Sequence, residues 1–225
     1  SMHLTSGAKK VLISAPAKGD VKTIVLGVND AIVEETDTIL SGASCTTNCL
    51  APLVHVLNQH FSIQKGFVAT THAYTGDQRL IDAPHKDLRR SRAAALNIIP
   101  TSTGAAKAIG KVIPELAGKL DGNALRVPVA SGSMTELTVL LDEDTSVETV
   151  NGLMHKASMD QLKGILEYTD KPLVSSDILG NRHSCVFDSS LTKVNGNMIR
   201  IFGWYDNEVG YASRMTDLLG HLQSN

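Results

Sequence analysis

Ser44-Cys45-Thr46-Thr47-Asn48-Cys49-Leu50-Ala51-Pro52, continuing to His60 and followed by the run from Ile63 to Tyr74, has the pattern of a helix that returns on a strand. Ser44 is a residue type that caps a helix N-terminus, and Leu50, Leu53, Val54 and Leu57 are spaced for one apolar face. Pro52 stands against a helix there, but a missing N–H costs less in the second turn than in the middle. After the break, Phe67, Val68, Ala69, Thr70 and Thr71 favour a strand, ended by the turn Thr75-Gly76-Asp77. A helix over residues 45–60 runs ~24 Å at ~1.5 Å per residue. The strand from Ile63 to His72 covers ~30 Å at ~3.3 Å per residue. These lengths nearly match, so the far end of the strand comes back beside the start of the helix and His72 can meet Cys45.

Upstream, Lys10–Ala15 and Thr23–Val28 have the apolar character of buried strands. Downstream, Thr103-Gly104 opens a helix to about Leu116, and strands are expected near 124–129 and 134–142. Thr145-Ser146-Val147-Glu148 has the form of a capping box. Strands near 184–188 and 197–204 precede a last helix near 208–222, while residues 80–100 show no clean periodicity. Runs of strands with helices inserted predict an α+β fold, a mixed and largely antiparallel sheet with helices on one face.

With 42% hydrophobic and 20% charged side chains among 225 residues, the chain can bury a substantial core. The balance of 21 basic against 23 acidic residues argues against a general nucleic-acid or membrane-surface binder, so any phosphate recognition is local. No apolar run approaches the roughly 20 residues of a membrane span. Three cysteines, with Cys45 and Cys49 spaced C-x3-C and no second Cys/His cluster, do not make a zinc site; a reduced, cytoplasmic setting is the simplest expectation.

A cysteine in the first turn of a helix meets free backbone N–H groups and the positive end of the dipole, which favour its thiolate. Cys45 is therefore a candidate nucleophile and His72 its base. The alternative is an inert core thiol, in a chain whose eight histidines make a nearby ring unsurprising. Cys49 lies one turn on, where side-chain direction does not suit disulfide closure, and core packing is expected for Cys49 and Cys185. Thr101-Ser102-Thr103-Gly104 offers hydroxyls at a helix start, a ready anion site, and Arg89, Arg90, Arg92 and Arg126 are groups that grip phosphate bidentately. Any one of these arginines taken singly fits a solvated basic loop equally well. Beside a thiol and two hydroxyl-rich helix starts, phosphate binding is the better account.

The stretch Ser44–Pro52 resembles the active-site signature of phosphorylating glyceraldehyde-3-phosphate dehydrogenases. The likeness continues in family order through His72-Ala73-Tyr74-Thr75-Gly76-Asp77-Gln78, Asp87-Leu88-Arg89-Arg90, Ser102–Lys107, Arg126-Val127-Pro128 and Trp204-Tyr205-Asp206-Asn207-Glu208. The resemblance implies that Cys45 attacks an aldehyde, that His72 accepts the hemithioacetal proton as hydride passes to NAD, and that inorganic phosphate attacks the resulting thioester to release an acyl phosphate. It implies that Thr75, Asp77 and Arg126 frame the phosphate of glyceraldehyde 3-phosphate, that Ser44, Thr46, Thr103 and Gly104 frame the attacking phosphate, and that Arg90 lies between. Asn207 would hold the nicotinamide amide, with Tyr211 beside it. Val209 departs from the tryptophan common in the family, and Pro128-Val129-Ala130-Ser131-Gly132-Ser133 departs as well.

By the same resemblance, residues 1–44 are expected to be the tail of a Rossmann-type NAD-binding domain, 45–206 a catalytic domain, and 207–225 a helix that packs back on the NAD-binding domain. No G-x-G-x-x-G occurs in the sequence, so these residues alone are expected to lack dehydrogenase turnover. A homotetramer is the family's assembly. The rival readings are an erythrose-4-phosphate dehydrogenase, a stand-alone cysteine hydrolase, and a non-catalytic oligomerisation or binding module.

Overall fold

The computed structural model describes residues 2–224. After a single helical turn, α1 (Met2–Thr5), the short strands β1 (Val11–Ile13), β2 (Lys22–Thr23) and β3 (Ile39–Ser41) form a parallel sheet in the order β1-β3-β2. The main body follows as α2 (Cys45–His60), β4 (Ile63–Ala73), β5 (Ile99–Ser102), α3 (Ala105–Val112), β6 (Leu120–Val127) and β7 (Ser133–Leu141). It continues with α4 (Val147–Met159), β8 (Leu166–Thr169), β9 (Cys185–Asp188), β10 (Lys193–Asn195), β11 (Met198–Tyr205) and α5 (Val209–Ser224). Its eight strands lie in the order β5-β6-β4-β7-β11-β9-β8, with β10 paired to β11. Only β4–β6 and β8–β9 are parallel, so the sheet is mixed and mostly antiparallel, as the succession of elements predicts.

Strand β7 shows why the helices share one face. Ser133, Thr135, Leu137, Val139 and Leu141 are buried, and the intervening Met134, Glu136, Thr138 and Leu140 are only partly covered. The buried face meets α2, which packs on β4, β7, β9 and β11 and carries α3 and α4 against its sides. The single apolar face expected for α2 is too modest: every residue from Thr46 to Val54 is buried, because sheet and helices surround it. That burial also explains the tolerance of Pro52 inside the helix. Fully burying Leu50, Leu53 and Leu57 contributes roughly 1.5–3 kcal/mol per side chain, against a proline cost of about 3 kcal/mol.

Several local expectations are corrected. Of Thr23–Val28 only Thr23 belongs to a strand; Asn29 takes the N–H of Val25 on its Oδ1 at 2.8 Å and donates to the carbonyl of Thr23 at 2.9 Å, and Gly27 has φ +77°. The apolar run is a buried turn in which Ile24 joins the small sheet's cluster and Val25 the main core. The helix after Gly104 stops at Val112, because Pro114 disfavours helical geometry at Ile113, and a 3-10 turn completes the stretch to Leu116. Helix α4 is capped by Ser146, which accepts from Thr149 N at 3.1 Å, rather than by Thr145. Strands β3, β5, β8 and β10 are too short to show a period in the sequence.

Candidate active site

The link from β3 to α2 sets the first wall of the site. Ala43 is the one non-glycine residue with a left-handed backbone among those described, at φ 61°. It is pinned there: its N–H donates to Ser41 Oγ at 3.1 Å, its carbonyl accepts from the hydroxyl of Tyr211 at 3.0 Å, and Asn48 Nδ2 donates to the carbonyls of Gly42 and Ser44 at 2.9 Å each. Ser44 then caps α2, its Oγ accepting from Thr47 N at 3.1 Å. Cys45 enters as the first helical residue, half-buried.

His72 stands on β4 next to the end of that strand, and its Nε2 is 3.5 Å from Cys45 Sγ. Helix and strand, nearly matched in length, thus bring Cys45 and His72 together. The register of β4 with β6 places Arg126 directly opposite His72. Arg126 Nη1 lies 2.7 Å from His72 Nδ1 and donates to the carbonyl of Ala73 at 2.9 Å. Burial, then Arg126 and Arg90, lower the His72 pKa to about 4, against the Ala73 carbonyl and Asp77. The ring is held neutral.

The expected thiolate bias at Cys45 is not the net result. Burial pushes the Cys45 thiol up, outweighing the hydrogen bonds from Thr46, the charge of Arg126 and its own N–H. Burial of the sulfur outweighs what the helix start offers.

A cavity of about 230 Å³ opens above the sulfur. Ser44, Cys45, Thr46, His72, Arg90, Thr103, Gly104 and Arg126 all face it, drawn from five separate stretches of chain. Thr75 and Asp77 do not line it; they reach it through Arg90, whose Nη1 pairs with Asp77 and whose Nε donates to Thr101 Oγ1 at 2.8 Å. Thr75 Oγ1 donates to Asp77 Oδ1. Burial pushes the Asp77 carboxyl up, but Thr75, Arg90 and Arg126 together pull it below its ordinary value. Arg89 and Arg92 belong instead to a separate surface depression with Leu88 and Ile98, so one arginine of that cluster serves the site. Cys49 and Cys185 are fully buried and free.

Asn207 and Tyr211 lie off the cavity wall, at the start of α5. Asn207 Oδ1 accepts from Gly132 N at 3.2 Å and Ser133 Oγ at 2.9 Å, which fixes the amide and turns its NH₂ edge the other way. Tyr211 is pushed up to about 12 by burial and then by Cys45, so its hydroxyl stays a donor to Ala43. The Asn207 NH₂ donates to the carboxylate of the exposed Glu208 at 3.3 Å, a partner that an amide oxygen can replace, so this donor fits a nicotinamide carboxamide.

Three contributors carry no assignment from the sequence. Tyr205, fully buried, shares a 2.8 Å hydrogen bond with Thr46 and sets its ring edge-on to His72 at 6.0 Å. Ser133 Oγ accepts from Ala73 N at 3.1 Å while holding Asn207, joining the base's strand to α5. Asp206 caps α5 through Glu208 N and Val209 N and accepts from Gly180 N at 2.8 Å. Tyr205 and Asp206 stand inside the stretch Trp204–Glu208, but a tyrosine in a strand gives no sign of which helix start it will underlie.

Residues 44–207 match the model of the glyceraldehyde 3-phosphate dehydrogenase C-terminal domain. Over 217 residues, 96% of this chain, it is 60% identical to a glyceraldehyde-3-phosphate dehydrogenase of Mycolicibacterium smegmatis and 59% identical to one of Mycobacterium avium. It is 58% identical to glyceraldehyde-3-phosphate dehydrogenase 2 of Streptomyces arenae, again over 96% of its length. The chain spans 64% of the length of the first two relatives and 65% of the third. With the signature cysteine, the histidine paired to it and a matched region covering the whole main sheet, the chain belongs to the glyceraldehyde 3-phosphate dehydrogenase family.

Proposed function

We propose that this chain carries the catalytic half of a phosphorylating glyceraldehyde-3-phosphate dehydrogenase, the oxidoreductase of glycolysis. The observation that carries the reading is the Cys45 Sγ to His72 Nε2 approach of 3.5 Å at the floor of a cavity faced by Arg90 and Arg126. A simple thiol hydrolase has no need of two anion-binding walls.

In this reading Cys45 passes its thiol proton to His72 Nε2 as the sulfur attacks the aldehyde carbon of glyceraldehyde 3-phosphate, and His72 returns that proton to the former carbonyl oxygen, held by the Cys45 backbone N–H, to give the hemithioacetal hydroxyl. His72 Nε2 then removes the hydroxyl proton as the carbon is oxidised to a thioester on Cys45. NAD, when bound, supplies the hydride acceptor. Asn207 and Tyr211 would orient its nicotinamide amide, from the side where Ser133 links Asn207 to the base's strand. Arg126 holds the substrate's own phosphate, and Thr75 and Asp77 frame that side from behind, through Arg90. Ser44, Thr46, Thr103 and Gly104 hold the inorganic phosphate that attacks the thioester, with Arg90 between the two anions.

Residues 1–44, with the parallel sheet β1-β3-β2, are assigned to an NAD-binding unit, residues 45–206 to the catalytic unit and α5 to the joint between them. On this assignment the 225 residues alone hold the thiol, the base and the anion sites but few cofactor contacts, and do not turn over by themselves. The open sheet face, with Phe67 71% and Met198 44% exposed, supports a homo-oligomer, a tetramer by family. The three free thiols accord with a reducing cytoplasm.

The deciding experiment supplies the nucleotide-binding unit, in cis or as a separate chain, and measures phosphate-dependent oxidation of glyceraldehyde 3-phosphate against erythrose 4-phosphate. NADH formation that needs inorganic phosphate and prefers the triose is the expected result. Preference for the tetrose, or oxidation indifferent to phosphate, would refute the assignment.

A further inference from the structure

Two nitrogens crowd the carbonyl of Ala73. His72 Nδ1 is 2.7 Å from it and Arg126 Nη1 is 2.9 Å from it, while these two nitrogens are 2.7 Å from each other. A guanidinium nitrogen has only hydrogens to offer. The Ala73 carbonyl can only accept and already takes a hydrogen from Nη1, so Nδ1 cannot serve both neighbours. The charge of the guanidinium decides: an N–H on Nδ1 would point at a cation 2.7 Å away, whereas its lone pair makes a charge-assisted bond to it, and the single proton of the neutral ring sits on Nε2, facing Cys45. In that tautomer Nε2 is a donor and has no lone pair with which to take a proton.

Arg126 is poorly rewarded for this position. Its Nε is buried with no hydrogen-bond partner among the described residues, and its Nη1 shares one carbonyl with the ring. A phosphate monoester offers it two parallel, charge-assisted bonds instead. Once the guanidinium turns away, Nδ1–H and the Ala73 carbonyl are already at hydrogen-bond distance, and the register of β4 with β6 keeps the two side chains adjacent throughout.

We propose that Arg126 is a positioning residue for His72 as well as an anion ligand: it holds the ring in the Nε2–H tautomer until a substrate's phosphate monoester draws it off, whereupon the ring becomes the Nδ1–H tautomer with Nε2 as the free base. The proton leaving Nε2 passes to solvent and one from solvent takes Nδ1, so the ring's charge is unchanged. Binding of the substrate's remote phosphate thereby arms the base that acts at its aldehyde end. The other groups facing the ring do not compete for Nδ1: Cys45 from α2 lies on the Nε2 side, Tyr205 from β11 meets the ring edge-on, and Asp77 and Arg90 act from the loops as charges alone. Removing the guanidinium also removes the nearest positive charge from the ring, so His72 titrates at higher pH when Arg126 is engaged elsewhere.

The inference rests on the reading of Arg126 as the ligand of the substrate's phosphate, and the test separates the two. The chain, labelled with ¹⁵N-histidine, is followed by long-range ¹H–¹⁵N correlation, which distinguishes the tautomers, with His72 assigned from the spectrum of His72→Asn. Unreactive glycerol 3-phosphate is the probe, its binding read from the ³¹P signal. Expected are the Nε2–H tautomer without ligand, inversion to Nδ1–H at saturation together with a rise in the pH at which the ring titrates, and Nδ1–H with or without ligand in Arg126→Met. A ring already Nδ1–H in the free protein, or a tautomer unmoved while the ester is bound, overturns the switch and leaves the phosphate site standing. Absence of any ³¹P change overturns the site and the switch together. The unsubstituted chain decides both points even if Arg126→Met does not fold.

Discussion

The two sides of the cavity are built from different materials. Cys45, His72 and Arg126 stand on α2, β4 and β6, and their mutual distances follow from helix burial and a continuous strand register. Thr75, Asp77, Arg90, Thr103 and Gly104 come from residues 74–104, where β5 and two 3-10 turns are the regular structure. That segment leaves Leu80, Ile81, Leu88, Leu96 and Ile98 largely exposed, and its site residues are held by polar contacts among themselves. The reacting pair thus inherits the rigidity of the core, and the anion-binding side depends on side-chain pairing in a segment with little apolar support.

The sharpest way to probe the rigid side is to remove the base. His72→Asn, in the enzyme completed by its nucleotide-binding unit, is expected to lower kcat by about 10²–10⁴-fold, the usual worth of a positioned general base. Steady-state kinetics at saturating aldehyde measure it. A loss below tenfold would mean that the 3.5 Å approach of His72 to Cys45 is packing alone.

Stability should separate the two sides next. Leu53 is fully buried on α2, and Leu53→Ala is expected to cost about 2–5 kcal/mol, transfer and cavity terms together. Leu88, 82% exposed on the other segment, should cost within about 0.5 kcal/mol when cut to alanine. Urea midpoints at constant slope give both values, and equal losses would erase the distinction.

A pH test follows from the neutral ring. His72 has a folded pKa of about 4, below the ordinary 6.5 of a histidine, so between these values the unfolded chain binds the extra proton. The stability it contributes is fully present above pH 6.5 and is lost as the pH falls toward 4, about 3 kcal/mol at most. His72→Asn should flatten that part of the stability curve. An unchanged slope would place the pH dependence elsewhere.

This division also governs what was legible in the sequence. The meeting of Cys45 and His72 follows from two lengths and one turn, and the sheet class from the succession of strands, because both depend on periodicity over ten or more residues. Pro52 and the run Thr23–Val28 show where local rules yield: in the first case burial of three leucines outweighs a missing N–H, and in the second Asn29 takes the hydrogen bonds a strand would have used. The thiol's raised pKa could not be read from its place at a helix start, since the opposing desolvation comes from burial that only the folded chain creates. Tyr205 and Ser133 were invisible for the same reason. Their roles exist only through pairing of β11 and β4 with β7, which sets one beneath Thr46 and the other against Ala73.

The smallest effect is the most telling for the loop side. Asp77 pairs with Arg90, yet its side chain remains 44% exposed, so solvent and salt reach the pair. Asp77→Asn is expected to lower stability by about 0–1 kcal/mol at low ionic strength. At 1 M salt the Debye length falls to about 3 Å and the difference should nearly vanish. Thermal or urea unfolding at two salt concentrations measures it. If the loss instead exceeded that of an exposed pair and persisted in salt, the segment that presents the anion ligands would be as firmly built as the core, and the contrast between the two sides of the cavity would fail.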